Sequence, residues 1–294
     1  MTTTARLRAF VALADHGSVR GAATALVVTE STVSAAVRAL ADEIGVALLE
    51  REGRGVRLTP AGTRYAGYAR RILGLLDEAT TAARGEADPE RGHVRLGAVT
   101  TAGEHLLPAL LASFRARYPH VSVGVDVAPS AVVWPMLRHH EVDVVVAGSP
   151  PADLDARVRA VRDNTLTVVG APGAPDADTG FDPTTATWLL REPGSGIRAT
   201  LTAMLEDLPG DPPRLIMGSH GATIAAARAG LGVTLVARES VARLLHEGAL
   251  VEPAMPGVPL SRPWHVVTHP DATASTEILV RHLLDDPGLG WRPA

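Results

Sequence analysis

Near its N-terminus the chain reads SVRGAATALVVTESTVSAAVRALADEIG from Ser18 to Gly45. Ser18 is a favoured helix N-cap residue, and it predicts a helix over residues 19–26. A further helix follows after a tight connection, with Thr29 or Ser31 as its N-cap. The apolar residues of this helix advance by four, three and four positions and form one stripe, made of Val33, Val37, Leu40 and Ile44.

The opposite face of this last helix is small and polar and carries one cation. It consists of Ser31, Ser34, Ala35 and Arg38. Such a face can approach a nucleic-acid groove closely, and two short helices at this spacing predict a helix-turn-helix. A short amphipathic helix that ends at Gly17 precedes them.

Residues 48–58 read LLEREGRGVRL, and their alternating pattern around a glycine-rich turn predicts a β-hairpin. Arginines cluster towards its tip, where they would reach phosphates or the minor groove. An ordinary solvated hairpin has the same features. Because this hairpin directly follows a helix-turn-helix, we favour the interpretation that it is a DNA-binding wing.

In order and spacing, these landmarks resemble the DNA-binding domain of LysR-type transcriptional regulators. The matching strings are AATAL at 22–26, STVS at 31–34, RAL at 38–40, IG at 44–45 and LTPAG at 58–62. The chain departs from the family at Glu30, where Gln is common, and at Leu49, where Phe is common. A carboxylate at position 30 accepts a hydrogen bond from cytosine but repels phosphates. The resemblance implies that DNA is contacted by Ser18, Arg20, Glu30, Ser31, Thr32, Ser34, Arg38, Arg51 and Arg54.

Composition sets the outer limits of these interpretations. The 294 residues allow two or three compact units, and the absence of cysteine excludes disulfides, thiolate metal sites and thiol redox sensing. The net charge is −4, and all 28 basic residues are arginines, so DNA affinity must depend on where the arginines lie. No apolar stretch approaches the length of a membrane span, and we expect a cytoplasmic protein without a membrane partner.

A helical pattern runs from Pro60 to Gly85, about 25 residues or roughly 38 Å. Its apolar seam repeats every three or four residues and consists of Tyr65, Ala69, Ile72, Leu76, Ala79 and Ala83. Packing against its own chain is the alternative, but the regular seam favours two-fold dimerisation, which suits paired DNA half-sites. The family resemblance adds the expectation of a tetramer.

Downstream, strand-like and helix-like runs alternate, which predicts an α/β fold. Strands are predicted at 94–99, 121–127, 142–147, 166–169, 187–190, 215–217 and 233–236, and helices near 104–117, 131–138, 197–206, 221–229 and 239–247. The resemblance continues here and implies a two-lobed effector domain similar to type 2 periplasmic binding proteins. The expected organisation is a winged helix-turn-helix at 1–59, a linker helix and hinge at 60–91, and an effector domain at 92–294, with lobe one at 92–162 plus 266–294 and lobe two at 163–265.

In open α/β sheets, ligands gather at the carboxyl ends of strands, beside the N-termini of the following helices. Small or polar residues follow four of the predicted strands, and we expect them to form a cleft for a small polar or anionic effector. They are Thr100, Thr101, Ser130, Gly148, Ser149, Gly218, Ser219 and His220. Helix capping uses the same residue types without any ligand.

The pattern G-x-G-x-x-A at Gly194, Gly196 and Ala199 raises the alternative of a nucleotide-using enzyme. A dinucleotide site needs an acid about 20 residues further on, where this chain has LIMG at 215–218. A similar string occurs in LysR-type proteins that include regulators of carbon fixation and sulfur assimilation. The run 139–141, HHE, is interpreted as surface. We therefore expect a ligand-responsive regulator without cofactor, metal or catalytic residues, with a ligand-independent regulator as the second alternative.

Overall fold

The computed structural model describes residues 2–52, 55–174 and 180–294. The chain forms two compact units, one of residues 1–84 with 138–142 and the other of residues 85–137 with 143–294. No single described helix is long and apolar enough to cross a membrane. The helices at 19–26 and 30–44 meet that test only as a pair, across a bend of 107°.

The first unit has the predicted winged helix-turn-helix. Its elements are α1 (Thr4–His16), α2 (Val19–Leu26), α3 (Glu30–Ile44), β1 (Leu49–Glu52), β2 (Gly55–Leu58) and α4 (Pro60–Ala87). The apolar stripe of α3 packs into a core with α1, whose Phe10 is fully buried. The backbone N–H of Val56 donates to the carbonyl of Gly17 at 3.0 Å, which fastens the wing to the end of α1.

Helix α4 begins packed against the other elements of the first unit. A Cβ at Gly62 would lie 1.8 Å from the carbonyl oxygen of Leu48, so only glycine allows this close approach. One turn later, the Tyr65 ring meets Phe10 edge-on, with centroids 5.6 Å apart.

Residues 139–141, which the sequence placed on the surface, are partly buried within the same unit. His140 lies 2.5 Å from the Glu78 carboxylate, and α4 approaches this segment closely at Gly74, where a Cβ would meet the His139 carbonyl oxygen at 2.2 Å. The run is covered because α4 packs against it, a contact between residues far apart in the chain.

The second unit is the predicted α/β fold. Its strands are β3 (His93–Ala98), β4 (Ser122–Val127), β5 (Val144–Ala147), β6 (Arg157–Arg162), β7 (Thr165–Val169), β8 (Trp188–Leu190), β9 (Arg214–Ile216), β10 (Thr234–Ala237), β11 (Leu260–Ser261), β12 (Trp264–Thr268) and β13 (Arg292–Pro293). Its helices are α5 (Thr100–His105), α6 (Leu107–Arg117), α7 (Ser130–Arg138), α8 (Gly196–Glu206), α9 (His220–Arg228), α10 (Ala242–His246) and α11 (Ala274–Asp285). The single helix predicted near 104–117 is thus two helices. Helix α11 and the strands β6, β11, β12 and β13 were not predicted.

The strands of this unit form separate sheets. The larger sheet has the order β13-β6-β12-β5-β3-β4, in which β3 pairs in parallel with β4 and β5. The smaller ones are β10-β7-β11 and the parallel pair β8-β9. The larger sheet therefore draws strands from 93–162 and again from 264–293, and we refer to it with its helices as lobe one and to the β7–β11 region as lobe two. The exact lobe and domain boundaries stay predictions.

Candidate nucleic-acid interface and ligand cleft

The first turn of α3 is fixed by one capping residue. The Thr29 hydroxyl accepts a hydrogen bond from the backbone N–H of Thr32 at 3.2 Å and lies 2.8 Å from the hydroxyls of both Ser31 and Thr32. Thr29, rather than Ser31, is therefore the N-cap. Glu30, Ser31 and Thr32 are all exposed, so this turn offers three polar side chains to solvent.

The arginines near α3 and the wing fall into two groups. Arg57 is paired with Glu50 at 3.0 Å, and this neighbouring negative charge weakens the attraction of Arg57 for DNA phosphates. Arg20, Arg38 and Arg51 are exposed, and no ion pair holds any of them among the described residues. Unpaired cations gain most from phosphates, because no internal partner has to be displaced. Arg54, predicted as a further contact, lies outside the described residues.

Two of the residues predicted to contact DNA, Ser18 and Ser34, are not fully exposed. The Ser18 hydroxyl accepts from the backbone N–H of Gly21 at 3.1 Å and caps α2, and both Ser18 and Ser34 are half-buried. The predicted DNA contacts of both residues stay predictions.

The predicted apolar seam of α4 is covered by its own chain at the beginning of the helix and exposed further along. Ala69 is fully buried in the core of its own unit, and Tyr65 packs on Phe10, so these two residues do not need a partner chain. Ala79 and Ala83 are exposed, as are Ile72 and Leu76 at 45% and 46%. Two further apolar side chains, Tyr68 and Leu75, are exposed beside them. The apolar side chains of α4 that its own chain leaves exposed therefore lie in the middle and towards the end of the helix.

A cleft opens in the second unit between the two lobes. Its lining consists of Val99, Thr100, Thr101, Pro129, Ser130, Gly148, Asn164, Leu166, Arg191, Ser195, Gly196, Ile197, Arg262 and Trp264. Lobe one contributes strand ends and helix starts, as predicted. Lobe two contributes the turn at 194–196 that carries the G-x-G pattern, so this turn opens α8 at the cleft wall.

Arg262 is the distinctive group of this cleft. Its guanidinium donates to the carbonyl oxygen of Gly196 at 2.9 Å, and no carboxylate pairs with it among the described residues. Burial lowers the pKa of Arg262, yet an arginine remains protonated at any physiological pH. Beside it, the Oδ1 atom of Asn164 is buried without a hydrogen-bond partner in the described part of the chain. The cleft thus holds a partly desolvated cation and an unsatisfied acceptor.

A second arginine, Arg191, is already neutralised. It is 5% exposed, forms an ion pair with Glu192 at 2.6 Å, and donates to the hydroxyl of Thr101 at 3.0 Å. Thr101 therefore positions an internal arginine, whereas no hydrogen bond of the Thr100 hydroxyl is found among the described residues. The two adjacent threonines have different environments.

Four predicted cleft residues do not line this cleft. Ser149 is exposed, and Gly218 and Ser219 lie beyond β9, whose residues are all exposed because it pairs only with β8 in its sheet. Ser219 caps α9 by accepting from the backbone N–H of Ala222 at 3.2 Å. His220 is buried near Glu104 instead, and burial, aided by nearby Arg191, lowers its pKa to about 4.

Comparison with known families decides what this architecture is. The bacterial regulatory helix-turn-helix protein family, lysR, matches residues 4–63, and the LysR substrate binding domain matches residues 87–286. The chain belongs to the LysR family of transcriptional regulators. It is a DNA-binding regulator with an effector-binding domain and not an enzyme.

Relatives of this LysR-family regulator match it over most of their length. HTH-type transcriptional regulator CfxR of Cupriavidus necator is 32% identical over 90% of the chain and 84% of the relative. The RuBisCO operon transcriptional regulator of Allochromatium vinosum is 32% identical over 89% of the chain and 88% of the relative. A full-length OxyR variant from Pseudomonas aeruginosa shares the fold, with a TM-score of 0.66 at 22% identity, covering 97% of this chain and 95% of that chain.

Proposed function

We propose that this LysR-family regulator binds double-stranded DNA through α3 and the wing and changes that binding when a small anion occupies the Arg262 cleft. The anion-binding part of this proposal rests on Arg262, a partly buried cation with no carboxylate partner among the described residues. Removing a charge from water costs free energy unless a counter-charge is supplied. An anionic ligand supplies that counter-charge.

The other cleft walls suit the same ligand class. Thr100 and Ser130 place hydroxyls on the lobe-one side, and Gly196 begins the 11-residue helix α8 on the lobe-two side. Helix N-termini favour negative charge. A Cβ at Gly196 would lie 2.9 Å from the Ser130 hydroxyl and 3.1 Å from the Arg262 guanidinium, so glycine keeps this approach open. A phosphate- or carboxylate-bearing metabolite fits these groups.

Such a ligand would act by holding the lobes together. Thr100 and Ser130 belong to lobe one, whereas Gly196 belongs to lobe two, so one molecule that contacts all three prefers the arrangement in which they converge. A ligand shifts a conformational equilibrium only through such a difference in affinity between arrangements.

Assembly and cellular context complete the proposal. The exposed apolar residues of α4 support a dimer through this helix, and exposed Val127 on β4 and Ile216 on β9 offer apolar edges for a tetramer. The regulator would act in the cytoplasm, where the chromosome lies. The name of the Allochromatium relative makes a carbon-fixation operon the first target to test.

The test uses the purified full-length protein and a panel of phosphorylated and carboxylated metabolites. Thermal unfolding should identify an anion that raises the midpoint for the wild type but not for Arg262→Met. Arg243→Gln is the matched control, because Arg243 is an exposed arginine whose ion-pair partner is Glu247 on the same surface. A hydrogen bond to a charged ligand contributes about 1.5–3 kcal/mol, so Arg262→Met should weaken binding by roughly 10- to 150-fold. Equal binding by all three proteins would contradict the proposed site.

A further inference from the structure

A cluster outside the ligand cleft joins three potential metal ligands. Glu104 and His105 end α5 in lobe one, and His220 begins α9 in lobe two. The Nε2 atoms of His105 and His220 each lie 3.9 Å from the same oxygen of Glu104. The three ligating atoms are all within 4.8 Å of one another.

His220 is the group that needs an explanation. Its side chain is 1% exposed, and neither ring nitrogen has a hydrogen-bond partner among the described residues. A buried polar group without a partner is costly, and such groups in native proteins usually mark an ion, a water or a function. The uncharged ring has a lone pair on one nitrogen, which is the form that binds metals.

The spacing suits a small transition-metal ion. With metal–ligand bonds of about 2.0–2.2 Å, neighbouring ligand atoms of a tetrahedral site lie roughly 3.3–3.6 Å apart. The two 3.9 Å separations to Glu104 need a contraction of about 0.3–0.6 Å by that geometry. The third separation, between the two imidazoles, is within 4.8 Å. Glu104 and His105 are 47% and 33% exposed, so their side chains have the freedom to make that adjustment.

The positive charge near this cluster is partly balanced. Among the charged groups, Arg191 lowers the pKa of His220 most, and it is already paired at 2.6 Å with Glu192, whose carboxylate raises that pKa. Glu104 supplies a carboxylate at the site itself. Two imidazoles and one carboxylate are a ligand set used by zinc, iron and related divalent ions, with at least one position left for water.

We propose that Glu104, His105 and His220 bind a divalent first-row transition-metal ion, of the zinc class, that bridges the two lobes. Because α5 also carries Thr100 and Thr101 at its other end, the ion fixes the helix that forms one wall of the ligand cleft. Metal occupancy would then restrict lobe movement without touching the proposed anion site.

The experiment uses full-length protein without an affinity tag, freed of metal by chelator and then titrated with Co²⁺ and Zn²⁺. We expect one Co²⁺ per chain with visible absorption bands, displaced by Zn²⁺, and X-ray absorption that reports imidazole ligands. Loss of an outer partner of a ligand already weakens metal binding about 10- to 100-fold, so Glu104→Gln and His105→Ala should each weaken it at least about 100-fold. His120→Ala, at an exposed histidine, is the control and should bind as the wild type does.

Both test residues are partly exposed, so both variants should fold, which circular dichroism checks independently. Absence of stoichiometric binding by the wild type would overturn the proposal. So would wild-type affinity in either variant, because the three-ligand site requires both residues. Arg262→Met should retain metal binding, so failure of the anion proposal and failure of the metal proposal give different results.

Discussion

Replacing Leu76 by Asp should break the self-association of this regulator. Ile72 and Leu76 are 45% and 46% exposed, so about half of each side chain is left for a partner chain to cover. Full burial of such a side chain contributes about 1.5–3 kcal/mol, so half of it contributes about 0.7–1.5 kcal/mol per chain and about 1.5–3 kcal/mol for the two copies in a dimer. Losing it raises the dissociation constant roughly 10- to 150-fold, before the further cost of an unpaired carboxylate.

The assay is light scattering coupled to size exclusion over a dilution series. Leu76→Asp should give a smaller assembly at concentrations where the wild type stays associated. Thr63→Asp is the control, because Thr63 is exposed on α4 nine residues before Ile72, about two and a half turns away and therefore on the opposite face. An unchanged assembly for Leu76→Asp, or equal dissociation of both variants, would refute this role of α4.

Three other predictions concern the first unit. Arg38→Ala should weaken operator binding by about 1–3 kcal/mol and lower the slope of binding against salt concentration by about one counterion. Arg57→Ala should change both quantities less, because Arg57 is paired with Glu50. Fluorescence anisotropy across a salt series measures both quantities, and equal effects of the two variants would contradict the prediction. Glu30→Gln should raise affinity for non-specific DNA in the same assay, since it removes an exposed carboxylate near phosphates, and a fall in that affinity would contradict this reasoning. Gly62→Ala should lower the free energy of unfolding by about 1–3 kcal/mol in urea, because its methyl would lie 1.8 Å from a carbonyl oxygen, whereas Gly67→Ala, with its nearest atom at 3.7 Å, should be neutral or stabilising.

Local sequence signals predicted the first unit well because its determinants are local. The caps at Ser18 and Thr29 and the stripe of α3 lie within a few residues of the elements they define. The heptad-like seam of α4 was continuous in sequence, but α1 covers its beginning, so Ala69 is buried in its own unit. Periodicity identifies an apolar face and does not say which neighbour covers it.

The cleft was predicted on one side only. The rule that ligands gather at strand ends found Thr100, Ser130 and Gly148, which line the cleft on its lobe-one side. For lobe two it selected Ser219, although long-range pairing places β9 at an edge and brings the turn at Gly196 to the cleft instead.

Arg262 had no local signal of its role, because only its long-range position beside Gly196 and Asn164 makes it distinctive. Likewise, His220 is 115 residues from His105 in the sequence, too far for a ligand-spacing motif to reveal the cluster. The G-x-G pattern was the one clue, since its backbone opens α8 at the cleft.

A footprint of the regulator on its operator, with and without the anionic metabolite that stabilises the wild type but not Arg262→Met, tests the coupling between cleft and DNA. A saturating concentration of this metabolite should change the length of the wild-type footprint or its midpoint concentration, and Arg262→Met should give the same footprint in both conditions. A wild-type footprint that stays the same at saturation would show that the cleft binds an anion without regulating DNA binding, which contradicts the proposed function.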